Sequence, residues 1–90
     1  MGKKTPGVRV YHEVAEGEPG PMLKHGEYWK RADGVWMCLP PGGHLGDLSN
    51  HDVVEHDDGT ITVSPSILIK GWDVARPWHG YLERGVWREC

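Results

Sequence analysis

The sequence predicts an all-β fold, a small single sheet or flattened barrel of about five or six antiparallel strands built from hairpins. Turns at Asp33-Gly34, Asp58-Gly59 and Arg84-Gly85 each separate runs rich in aromatic and β-branched residues, and an X-Gly pair supplies the positive φ that a tight hairpin turn demands. Apolar residues recur with period two on either side of these turns, the spacing of a strand with one buried face. Helical periodicity never persists beyond about a turn, and 13 Gly with 7 Pro describe a turn-rich chain.

In chain order, MGKKTPG at residues 1–7 lacks periodicity and reads as a disordered tail. Residues 8–90 then form one small β domain. Val8, Val10, His12 and Val14 alternate with Arg9, Tyr11 and Glu13, which predicts a strand over 8–14 with its valine side buried. Residues 15–26 carry Pro19, Pro21, Gly17, Gly20 and Gly26, and so read as irregular.

The first hairpin runs from Tyr28 to Arg31, turns at Asp33-Gly34 and returns from Val35 to Leu39. The second leads from residues 51–56 through Asp57, Asp58 and Gly59 into TITVSPSILIK, where Ile61, Val63, Ile67 and Ile69 share one parity. Pro65 interrupts that run and removes a ladder donor, so the strand is there an edge, bulged or broken. HGYLERGVWRE makes the third, turning at Arg84-Gly85.

Five Trp and no Phe mean that indoles supply the large core groups. Burial is expected for Ile61, Val63, Ile67, Ile69, Val35 and Leu82, with at least two of Trp29, Trp36, Trp72 and Trp87. YWKRADGVWMC at 28–38 and GYLERGVWREC at 80–90 echo one another, yet Cys38 lies four residues past Gly34 and Cys90 five past Gly85. Alternation turns the two cysteines to opposite faces, and the echo is that of two hairpins rather than a repeat.

Ninety residues make one domain with a small core. Two cysteines could close at most one disulfide, and the first residues show no apolar export signal, so Cys38 and Cys90 are expected as thiols in a reducing cytoplasm. No stretch approaches the ~18 apolar residues of a membrane helix. A net charge of −3, with both signs scattered along the chain, argues against a nucleic-acid partner, which needs a concentrated cationic field.

Six His accompany the two Cys, and Cys38 and His44 flank a Pro-Gly loop that could wrap a tetrahedral zinc with His79. That alternative site, Cys38, His44 and His79, is weighed against the reading preferred here, in which no metal or other cofactor is bound, Cys38 is a small buried hydrophobe and the histidines are packed or exposed strand residues. A Cys-His nucleophile lacks an orienting group and an oxyanion hole at recognisable spacing, and Asp57 and Asp58 are explained by turn chemistry. The chain is therefore read as a non-enzyme with no catalytic residues.

The order VWMCLPPGGHLGDL, DDGTITVSPSI and WHGYLERGVW resembles a family of small, mostly phage- and prophage-encoded proteins of unknown function, some of which carry an ammonia monooxygenase label. The likeness runs from Tyr28 to Trp87, and its most specific piece is Ser64-Pro65-Ser66-Ile67 followed by His79 and Gly85. Pro40 to Gly43 stand where that family tends to place a second turn cysteine, and Trp78 where it tends to place Cys before His. Only Cys38 and His79 keep positions that would match metal ligands in the family. The resemblance implies a phage-type accessory protein in the bacterial host cytoplasm. The expected function is a protein-interaction module whose partner is a host or phage protein, docking through exposed tryptophans or an open sheet edge near Pro65.

Overall fold

The computed structural model describes residues 4–14, 17–69 and 78–90. Among these there is no helix, and the strands are β1 (Lys4–Pro6), β2 (Val8–Val10), β3 (Glu27–Lys30), β4 (Trp36–Leu39), β5 (Gly46–Asp47), β6 (Asp52–Glu55), β7 (Ile61–Ser64), β8 (Ile67–Ile69), β9 (Trp78–Glu83) and β10 (Val86–Glu89). The all-β class is as expected, but the strands are shorter and more numerous than the hairpin pattern implied. They form three small sheets, ordered β1-β10-β9-β8, β2-β3-β4-β5 and β6-β7, and none closes into a barrel.

All three expected hairpins are present as β3-β4, β6-β7 and β9-β10. Gly34 and Gly59 take φ of 89°. At the third turn Arg84 and Gly85 have φ of 46° and 77°, the pair of left-handed residues of a type I′ turn. Pro65 breaks its run: Ser64-Pro65 is a cis peptide, β7 ends before it, and β8 begins after it in a different sheet. A residue without an N–H cannot carry the ladder through, so the chain changes partners there.

The N-terminal segment departs from expectation. Residues 4–6, assigned to a disordered tail, instead form β1 and add to the free edge of β10, Thr5 opposite Trp87. Pairing uses backbone groups that every residue but proline has complete, so a stretch without side-chain periodicity still serves as an edge strand. Gly7 then carries the chain from one sheet to the next, its N–H donating to the Gly85 carbonyl at 2.7 Å. A Cβ at Gly7 would stand 2.7 Å from that oxygen and 2.9 Å from Trp87 Nε1, so a side chain does not fit at the crossing.

Only Val8–Val10 of the expected 8–14 strand is regular, and it pairs with β3 in parallel, against the all-antiparallel expectation. Nor does burial follow the valine parity, since Val10 and Val14 are half-buried but Val8 and His12 are not. Val8 and His12 are exposed while the Arg9 side chain is 14% exposed, because Arg9 has a carboxylate, a carbonyl and two aromatic faces to meet on the inner side. Residues 17–26 contain no strand, as expected. They are not idle: Gly20 lies so close to Trp29 that a Cβ there would be 2.6 Å from the indole, and the His12 carbonyl accepts from Trp29 Nε1 at 2.9 Å. This irregular segment covers the outer face of β3.

The core lies between the sheets. Tyr28, Trp36 and Cys38 come from the β3-β4 hairpin, Ile61 and Val63 from β7, and Ile67, Trp78, Leu82 and Trp87 from the four-stranded sheet of β1, β10, β9 and β8, with Leu48 closing one side. Ile61, Val63, Ile67 and Leu82 are buried as the parity required, whereas Val35 and Ile69 are only partly covered. Trp29, Trp36, Trp78 and Trp87 are all 8% exposed or less; Trp72 lies outside the described residues. Trp87 Nε1 donates to the Gly26 carbonyl at 2.8 Å, which satisfies the most deeply buried indole.

Candidate functional site

Strand pairing fixes what the solvent face of the β1-β10-β9-β8 sheet presents. Leu68 stands opposite His79, and Tyr81 opposite Arg88, while Ile67, Gly80 and Leu82 face inward. Ser66 shares the parity of Leu68 and so reaches the same outer face. There His79 Nε2 and Ser66 Oγ lie 3.0 Å apart, joining β9 to the start of β8. From the other side His51 Nε2 meets the Ser66 carbonyl at 3.2 Å. A carbonyl only accepts, so this nitrogen carries the His51 proton, and Nδ1 is left as a buried acceptor with no partner among the described residues.

The two most specific motifs of the sequence, Ser64-Pro65-Ser66-Ile67 and His79, are thus brought into contact. β8 is the outermost strand of its sheet, and among the described residues no further strand pairs with it. Leu68 at its centre is 50% exposed and Val86 on β10 is 38% exposed. Arg88 lies 4.3 Å from the Tyr81 ring centroid and pairs with Glu83. The face is therefore a mixed one, with apolar patches between hydroxyl, imidazole and guanidinium groups.

Chemically, Ser66 and His79 offer a hydroxyl beside a base. No carboxylate is hydrogen-bonded to His79 among the described residues, so the third member that would orient its imidazole is not supplied there. The contact reads as a cross-strand hydrogen bond that holds β8 against β9.

Cys38, His44 and His79 are not gathered. Cys38 sits on β4, fully buried, opposite Gly46; burial, with a smaller push from the Asp47 carboxylate, raises its thiol to about 12. His79 is exposed on the solvent face of another sheet. His44 is half-buried between the Pro-Gly turn and β5. Among the described residues no three His, Cys, Asp or Glu side chains come together as metal ligands. Cys90 is exposed, on the opposite face from Cys38 in the parity sense, and both are free thiols.

Docking through exposed tryptophans is likewise corrected for the described residues, whose four indoles all pack inward. The sequence-based expectations name no side-chain role for Ser66 and do not include Trp78 among the buried indoles. Both were recoverable, since Trp78 shares parity with Gly80 and Leu82 on β9, and Ser66 with Leu68 on β8.

No helix among the described residues is long and apolar enough to cross a membrane. No family model, no curated protein and no solved structure matches the chain.

Proposed function

We propose that this chain is a protein-interaction module, a small phage- or prophage-type accessory protein that binds a host or phage protein in the bacterial cytoplasm and catalyses nothing itself. The phage assignment rests on the sequence resemblance. The docking assignment rests on Leu68: a half-exposed leucine at the centre of β8, whose outer edge is unpaired among the described residues, three residues past Pro65 and beside the Ser66–His79 pair. An open edge offers a partner a row of backbone donors and acceptors, and one exposed apolar side chain adds a point of specificity.

A photoreactive phenylalanine analogue at position 68 tests this in cells that carry the full chain, with the same analogue at Tyr11, also exposed but just past β2, outside the sheet that bears Leu68, as control. A discrete cross-linked product at 68 that is absent at 11, with the same partner lost from pulldowns of a Leu68→Lys variant, is the expected result. Equal labelling at both positions, or none at 68, would remove the assignment.

A further inference from the structure

Strand pairing shows which backbone groups of β8 are left open. The Cys90 N–H donates to the His79 carbonyl at 2.9 Å, so His79 directs its backbone groups to β10, and those of its neighbour Gly80 point the other way, to β8. Ile67 stands opposite Gly80 and pairs with it. Backbone direction alternates along a strand, so the N–H and C=O of Leu68, like the Ser66 carbonyl, point away from β9 to the outer edge. His51 Nε2–H meets that Ser66 carbonyl at 3.2 Å. Leu68 has no such cover, because among the described residues no strand lies beyond β8.

The neighbouring hairpin brings His51 to this place. It directly precedes β6, whose first residue, Asp52, pairs with Ser64 at the end of β7, two residues before Ser66. Its own N–H donates to the Leu48 carbonyl at 3.0 Å, so the residue is held at its backbone and at its ring tip. The strand it borders, Ile67, Leu68 and Ile69, carries neither charge nor proline. Such an edge pairs with any extended chain it meets unless something blocks it.

We infer that His51 guards this edge: its imidazole closes the sheet to strand addition beyond Leu68, so the docking segment of the partner protein is an extended strand, antiparallel to β8, that pairs with Leu68 and is turned away before Ser66. Antiparallel addition continues the β1-β10-β9-β8 sheet, in which every pair is antiparallel. In that register one residue of the segment exchanges two hydrogen bonds with Leu68. The next pair along would need the Ser66 carbonyl, which already accepts from His51. A template shortened in this way leaves more of the discrimination to the side chain laid beside Leu68.

The inference rests on the reading of β8 as the docking edge, and its test uses the purified full chain alone, so the two fail separately. His51→Ala frees the Ser66 carbonyl and is expected to self-associate, by sedimentation velocity, at a concentration at least tenfold below that of the unaltered chain. His51→Gln, whose carboxamide keeps a donor, is expected to behave as the unaltered chain does. Because a variant that unfolds also associates, amide exchange gives a second reading. In the unaltered monomer the Leu68 N–H is expected to exchange at least tenfold faster than that of Ile67, and in His51→Ala it is expected to become protected on association while Ile67 stays protected. The guard is overturned by His51→Ala associating no more readily than the unaltered chain, by its association with the Leu68 amide still open, by equal association of His51→Gln, or by a Leu68 amide as protected as that of Ile67 in the unaltered monomer. Any of these with cross-linking at position 68 intact leaves the docking edge in place. Loss of cross-linking with the guard intact removes the partner and leaves an edge protected against the chain's own copies.

Discussion

Arg9 Nη1 donates to Glu55 Oε2 at 2.7 Å and to the Gly59 carbonyl at 3.0 Å, while its guanidinium lies 4.6 Å from the Tyr11 ring centroid and 4.8 Å from that of Trp36. One side chain thereby ties β2 to the β6-β7 hairpin across 46 residues of sequence. It also explains why Arg9, placed by parity on the outer side of β2, is largely covered.

Arg9→Met keeps most of the aliphatic stem but removes the hydrogen bonds and the aromatic contacts of the guanidinium. It is expected to cost about 1–3 kcal/mol in denaturant unfolding. Glu55→Gln is expected to cost much less, because the Glu55 side chain is 41% exposed and its pairing is screened. A loss at Arg9 no larger than that at Glu55 would show that the aromatic faces add nothing.

Acid should loosen the fold through four carboxylates. Hydrogen bonds from Arg9 and then Lys30 hold Glu55 below the ordinary carboxylate range, the Thr60 hydroxyl and amide do so for Asp58, those of Ser49 for Asp47, and Arg31 followed by the Val35 amide for Asp33. A group whose folded pKa is depressed contributes stability that is present above its unfolded pKa and lost as pH falls through the folded one. The thermal midpoint is therefore expected to be level from neutrality to about pH 5 and to fall below about pH 4. A midpoint that instead rises as pH drops below 4 would contradict these pairings.

Ile61 and Leu68 test the face assignment, since one is fully buried in the core cluster and the other is half-exposed at the sheet edge. Ile61→Ala is expected to cost about 2–5 kcal/mol, the range for emptying a packed core position. Leu68→Ala is expected to stay within about 1 kcal/mol. Comparable losses at the two positions would mean that the inward and outward faces have been exchanged.

The thiols should differ in reactivity. Cys90 is exposed, and Cys38 is buried with its pKa pushed up to about 12, so little thiolate forms at Cys38 below that pH. A thiol reagent at pH 8 is expected to modify Cys90 rapidly and Cys38 only on unfolding, as read by mass spectrometry of timed samples. Chelation during the same experiment is expected to leave both the Cys38 rate and the thermal midpoint unchanged. Faster modification of Cys38 after chelation would indicate a metal that had been protecting it.

By itself the sequence determined the hairpins, that the strand run is disturbed at Pro65, and the inward set Ile61, Val63, Ile67 and Leu82. These are local properties: a left-handed turn position selects glycine, a missing N–H ends a ladder, and two-residue alternation assigns faces within one strand. Tertiary structure alone decided the rest. Lys4–Pro6 became a strand because β10 had a free edge to offer, and backbone pairing leaves no mark on side-chain pattern. Arg9 turned inward because Glu55, Trp36 and the Gly59 carbonyl were waiting there. Ser66 met His79 because the chain changes sheets at Pro65 and β8 then pairs with β9 in the register that sets Leu68 against His79. Each of these joins residues far apart in the chain, and sequence periodicity reports only the face a residue takes within its own strand, not the strand that will lie beside it.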